Sequence, residues 1–160
     1  MKKLLTTALL ALALCFTQAV QAKVTHLLPK PQVVEAQSGN AFALNRNVTI
    51  NDPTQSSLLA KFFTDNGCTI TENGAPVTVE IVESIDYAYD YVLAGYENEA
   101  YRLEITADAI NIKAITATGV IRAAQTLMQL AEGYDGNPAL EAVSITDWPA
   151  FKLRGYMHDV

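Results

Sequence analysis

Apolar residues recur along the chain with two spacings, and the switches between them outline its elements. From Ala41 to Ile50, the residues Phe42, Leu44, Val48 and Ile50 share one parity, which predicts a strand. Asn51-Asp52-Pro53-Thr54 predicts a turn or a helix start, because Pro suits a first turn and Asp or Thr can cap free amides. Leu58, Leu59, Phe62 and Phe63 then fall at i, i+1, i+4 and i+5, one face of a helix that should stop near Asn66-Gly67. Val77 to Val82 alternates again as a half-buried strand.

Tyr101, Leu103 and Ile105 alternate with Arg102, Glu104 and Thr106, and Ala107-Asp108-Ala109 turns the chain into Ile110, Ile112 and Ala114. This pair reads as a β-hairpin. Thr116 or Thr118 can cap a second helix with the stripe Val120, Ala123, Ala124, Leu127 and Leu130. Residues 133–138 read as a loop and Leu140 to Ile145 as a last short strand. Leu27-Leu28-Pro29-Lys30-Pro31 leads in as an extended, proline-stiffened segment. The expected class is α+β: a mixed or antiparallel sheet with two helices packed on it, in one domain over residues 23–147.

The first 22 residues stand apart from this pattern. Lys2 and Lys3 precede an apolar run from Leu4 to Phe16, and Val20-Gln21-Ala22 offers a cleavage site, so residues 1–22 read as a secretory signal peptide. The run is shorter than the roughly 20 residues a permanent span needs. Cys15 raises the alternative of a lipoprotein site, which the bulky Leu14 before it disfavours. An exported chain, periplasmic or secreted, is expected to begin at Lys23. Cleavage removes two lysines and no acids, moving the net charge from −6 to −8.

That charge changes the range of partners. With 11 Lys and Arg against 17 Asp and Glu, and no basic cluster, a nucleic-acid surface is excluded. Cys68 is the single cysteine after cleavage, and with His26 and His158 it makes too few soft ligands for a zinc or iron–sulfur site, so no metal is expected. Cys68 itself reads as a buried, inert thiol. Phosphate loops and nucleophile elbows are missing from the sequence, and Gly119 is a lone glycine at a helix start. Asp86 and Asp90 form the nearest thing to a carboxylate pair, more in keeping with a solvated loop than with a catalytic dyad. Tyr87, Tyr89, Tyr91 and Tyr96 could stack on sugars or line an edge strand, and the edge strand is the plainer reading.

Asp147-Trp148-Pro149 closes the domain with a turn, and the apolar residues 151–160 read as a new strand. Here the residues become familiar. Leu28-Pro29-Lys30-Pro31-Gln32, Asn98 to Ile105, Gly119-Val120-Ile121-Arg122-Ala123-Ala124-Gln125-Thr126-Leu127, Asp147-Trp148-Pro149-Ala150-Phe151 and Arg154-Gly155 follow one another in the order seen in one family. Together they resemble the amino-terminal part of a family 20 glycoside hydrolase, a bacterial β-N-acetylhexosaminidase.

The resemblance implies a non-catalytic α+β domain followed, over residues 148–160, by a linker and the first strand of a (β/α)8 barrel. It implies that Arg154 hydrogen-bonds hydroxyls of a terminal N-acetylhexosamine, with Asp159 as structural support. It also implies that the catalytic Asp-Glu pair lies beyond residue 160, so this chain carries no catalytic residue and is inactive alone. The family's reaction is substrate-assisted and retaining, through an oxazolinium, and needs no cofactor. His158 departs from the apolar residue common in that strand. Two rivals remain at this point: the front domain of a family 84 hexosaminidase, and a secreted carbohydrate-binding module using the Tyr87 to Tyr96 surface.

Overall fold

The computed structural model describes residues 26–87, 97–131 and 139–151. Nine strands are described: β1 (Val33–Ala36), β2 (Phe42–Ala43), β3 (Asn47–Asn51), β4 (Thr69–Ile70), β5 (Ala75–Ile81), β6 (Tyr101–Ile105), β7 (Ile110–Ala114), β8 (Ala139–Leu140) and β9 (Val143–Asp147). Helix α1 spans Ser57–Asp65, α2 spans Ala117–Ala131, and a single 3-10 turn covers Glu97–Glu99. Seven strands form one sheet in the order β1-β9-β6-β7-β5-β3-β4, while β2 and β8 pair separately. The pairs β3–β4, β3–β5 and β5–β7 are parallel; β1–β9, β9–β6 and β6–β7 are antiparallel. The fold is therefore α+β with a mixed sheet and two helices, and the described residues include no closed barrel.

The hairpin stands where alternation put it, with Leu103 opposite Ile112 and Ile105 opposite Ile110. One face of these strands, with Val77, Val79 and Ile145 beside them, is buried under α1 and α2, which also pack on each other. The opposite face carries Arg102, Glu104, Thr78, Asn111 and Lys113, none of them fully buried. Helix α1 buries Leu59, Phe62 and Phe63 and ends in a Schellman motif. There the Gly67 amide donates to Thr64 O and the Cys68 amide to Phe63 O, with Gly67 at φ 78°. Helix α2 starts under Thr116, whose Oγ1 accepts the Thr118 amide at 3.1 Å. Cys68 is buried and unpaired.

Two expectations need correction. Ala41 to Ile50 is two strands, because Asn45 adopts φ 63° and breaks the alternation, sending Phe42 to β8 and Val48 to the main sheet. Leu140 to Ile145 splits likewise between β8 and β9. Of the turn or helix start expected at Asn51-Asp52-Pro53-Thr54, the turn is what forms, with the Asp52 carboxylate accepting the Thr54 and Ser56 amides ahead of α1. The signal peptide, the 133–138 loop, Tyr89, Asp90, Tyr91, Tyr96 and residues 152–160 lie outside the described residues.

Gly119, uninformative in the sequence, has a packing reason. A Cβ there would sit 2.5 Å from the Ala100 carbonyl oxygen and 3.0 Å from the Ala114 Cβ, so only glycine lets α2 start this close to the sheet.

Candidate functional site

A cleft of about 260 Å³ opens where the chain enters and leaves the domain. Its walls are the leading segment around Pro29 to Gln32, the outer flank of α2, and the segment from Asp147 to Phe151. Helical geometry supplies the flank. While Val120, Ala123, Leu127 and Leu130 face the core, Arg122, Gln125 and Gln129 recur at i, i+3 and i+7 and form a polar row beside the opening.

Each member of that row is engaged. Arg122 Nε donates to Glu99 Oε2 at 2.8 Å and its Nη1 donates to Gln125 Oε1 at 3.0 Å. Gln129 Oε1 accepts the Leu28 amide at 2.8 Å, which ties the leading segment to the helix. On the other wall, Asp147 Oδ1 accepts the Gln32 amide at 3.1 Å, and Gln32 Nε2 reaches the Trp148 carbonyl at 3.5 Å. Between them the Tyr101 hydroxyl meets Thr126 Oγ1 at 2.6 Å, and both residues are buried. Burial pushes the Tyr101 phenol well above the usual tyrosine range; the charge on Asp147 adds to this and the Thr126 bond works against it.

Trp148 turns away from the main core into a small cluster of its own with Ile85 and Ala100. The Tyr87 ring stands edge-on to it, 5.1 Å between centroids and 74° between planes. The Tyr87 hydroxyl is buried with no hydrogen-bond partner among the described residues. Its pKa is raised, first by burial and then by Glu97. Tyr87, read above as more in keeping with an edge strand than with a sugar platform, lies in no strand and spends its ring on packing against Trp148.

The arrangement is suited to holding and not to reacting. A general acid or base must reach the proton it transfers, and here both cleft carboxylates, Glu99 and Asp147, take donors from the fold itself. Among the described residues, no three His, Cys, Asp or Glu side chains gather where they could hold a metal ion. No described helix is long and apolar enough to cross a membrane. Arg154 and Asp159, the substrate-contact and support residues of the resemblance, and His158 lie outside the described residues. Asp86 is exposed. The sequence reading passed over Arg122, Gln125 and Gln129 as chemistry, although their i, i+3, i+7 spacing opposite the apolar stripe was the available signal.

Comparison with known proteins gives this architecture its class. The family model described as glycosyl hydrolase family 20, domain 2, matches residues 24–148. The chain belongs to that family. A β-N-acetylhexosaminidase from Cellulomonas fimi is 36% identical over 91 residues, covering 56% of this chain and 17% of that protein. A crystal structure of an inactive mutant of the family 20 exo-β-N-acetylglucosaminidase from Vibrio harveyi superposes with a TM-score of 0.63 at 22% identity, over 85% of this chain and 21% of that one. CpGH84B shares the fold as well, with a TM-score of 0.60 at 23% identity over 80% of this chain and 23% of that one. The fold alone therefore does not separate family 20 from family 84, and the family match does. The chain spans about a fifth of the length of these relatives.

Proposed function

We propose that this chain is the non-catalytic front domain of an exported exo-β-N-acetylhexosaminidase that removes terminal N-acetylhexosamine from glycans. The observation that carries the reading is the family 20 domain 2 match over residues 24–148, joined to a hexosaminidase relative at 36% identity. The cleft supports it: Phe151, in its lining, is 71% exposed, an apolar surface that a following domain can cover. In this reading a barrel continues after Trp148 and brings Arg154 to the sugar hydroxyls, with Asp159 supporting the strand. The Asp-Glu pair that orients the acetamido group and protonates the leaving oxygen lies beyond residue 160, and the substrate's own acetamido oxygen is the nucleophile. Residues 1–22 direct export, and the exported chain begins at Lys23.

Two measurements test this. The purified 160-residue chain should show no turnover of an aryl N-acetylglucosaminide; clear hydrolysis would place an active site inside it and sink the proposal. In the complete enzyme, Arg154→Ala should lower kcat/KM about 10²- to 10⁴-fold, because two charge-assisted bonds of roughly 1.5–3 kcal/mol each are lost. Near-normal hydrolysis would remove Arg154 from the site. Mass spectrometry of exported protein beginning at Met1 would reject the signal peptide.

A further inference from the structure

In an Asn-Gly dipeptide the amide nitrogen after the asparagine is unshielded, since glycine has no Cβ, and it can reach the asparagine's own side-chain carbonyl carbon. The chain contains two such dipeptides, Asn66-Gly67 and Asn73-Gly74, and the fold treats them differently. Asn66 caps the end of α1. Its Nδ2 donates to the Phe62 carbonyl at 2.8 Å, and the Gly67 amide donates to the Thr64 carbonyl at 3.1 Å. Both groups that would have to meet are tied to the helix end. Asn73 is exposed in the turn between β4 and β5, and its side chain enters no hydrogen bond among the described residues. Gly74 after it cannot give way to a larger residue, because a Cβ there would sit 2.4 Å from the Val48 nitrogen. The close approach of β5 to β3 thus keeps the dipeptide in place. One contact holds it back: the Gly74 amide donates to Thr49 Oγ1 at 2.7 Å.

We propose that Asn73 is a site of spontaneous deamidation in the folded protein, converted to aspartate and isoaspartate while Asn66 is spared, with the Thr49 hydroxyl as the brake. The Gly74 nitrogen, once its proton has gone to hydroxide, attacks the Asn73 side-chain carbonyl carbon. A C–N bond forms, the bond from that carbon to Nδ2 breaks, and ammonia leaves with a proton from water. Water then opens the resulting succinimide at either carbonyl. One opening gives aspartate; the other gives isoaspartate, whose main chain runs through the side-chain carbons and is one carbon longer. The Thr49 bond must break before the nitrogen can attack, and a neutral hydrogen bond of this kind slows such a step by about tenfold at most. The two products differ in consequence. Either adds one negative charge beside Glu72. Only isoaspartate lengthens the chain directly before Gly74, where the backbone lies against Val48, and so disturbs the register that sets Ala75 opposite Val48.

The test is peptide mapping by mass spectrometry of the full chain aged at mildly alkaline pH, with a parallel sample in concentrated urea. In urea the two dipeptides should react at similar rates. In the folded protein Asn73 should be lost about tenfold faster than Asn66, whose side chain is held by a further bond. Thr49→Val, which removes the acceptor and keeps the shape, should speed the loss at Asn73 about 2- to 10-fold and leave Asn66 unchanged. Thr49→Ser, which keeps the hydroxyl, should restore the slower rate. Thermal melts of the aged protein should show a less stable fraction that grows with isoaspartate content. Asn73→Asp adds the charge without lengthening the chain and should not reproduce that fraction. Equal loss at the two asparagines of the folded protein, or no loss at Asn73 while the urea sample reacts, would overturn the site. An unchanged rate in Thr49→Val would overturn the brake; if that variant does not fold, Thr49→Ala takes its place.

Discussion

The two apolar clusters of the domain each contain one tyrosine, and the pair shows how differently the regions are built. Tyr101 lies in the large core between sheet and helices, and its hydroxyl is matched by Thr126. Tyr87 packs on Trp148 in the small cluster, and its buried hydroxyl meets no partner among the described residues. The large core matches the Tyr101 hydroxyl and surrounds it with many fully buried side chains, and these carry the stability of the fold. The small cluster leaves the buried Tyr87 hydroxyl unmatched among the described residues, a local cost that its apolar packing offsets.

The sharpest way to break this contrast is in the large core. Leu103 is fully buried in β6 between Ile112 and Ile145, and Leu103→Ala should cost about 2–5 kcal/mol, read as a drop in the urea midpoint. A loss below about 1 kcal/mol would mean the core can collapse around the cavity. Next comes the joint between the regions, since Gly119 abuts Ala100 of the small cluster and Ala114 of the large one. Gly119→Ala forces α2 away from the Ala100 carbonyl and should cost about 1–3 kcal/mol in the same measurement. An unchanged midpoint would show that the helix start can shift freely.

The tyrosines sharpen the comparison with smaller effects. Tyr101→Phe leaves the buried Thr126 hydroxyl unmatched and should cost about 1–2 kcal/mol. It should also change the alkaline limb of stability. An unfolded tyrosine loses its proton near pH 10, whereas the folded Tyr101 keeps its proton to higher pH. Stability is therefore full below about pH 10 and falls as pH rises past it, and the fall should be shallower in Tyr101→Phe. Urea midpoints at pH 9 and 11 check this; parallel slopes for the two proteins would count against it. Tyr87→Phe should be the mildest, between no change and a gain of about 1 kcal/mol, because it deletes a buried unmatched hydroxyl. A clear loss would mean that hydroxyl is bonded after all.

How much of this was legible depends on how local each feature is. The 101–114 hairpin and both helices follow from periods and caps within a few residues, and they stand as read. The breaks at Asn45 and after Leu140 were invisible because Phe42, Leu44, Val48 and Ile50 keep parity straight through a left-handed residue. Strand β1 offered only Val33-Val34, too short a run for a period, and its partner β9 is more than a hundred residues away. The cleft was illegible for the same reason, since Leu28 with Gln129 and Gln32 with Asp147 are brought together only by the finished sheet. What the sequence carried about function came through family resemblance, in motifs that run from Leu28 to Gly155 and include Arg122, Gln125 and Asp147 with no role assigned to them.

The antiparallel seam between β1 and β9 has a mechanical side. Val33, where the chain enters the sheet, lies opposite Thr146, where it prepares to leave. Tension applied through the two flanking segments pulls across this pair, along the direction of its hydrogen bonds and not along the strands. Such a seam opens one bond at a time, like a zipper, whereas strands pulled lengthwise must break several bonds together. The domain can therefore be thermally robust and still yield at its edge under a small pulling force, first freeing β1 and with it the wall of the cleft.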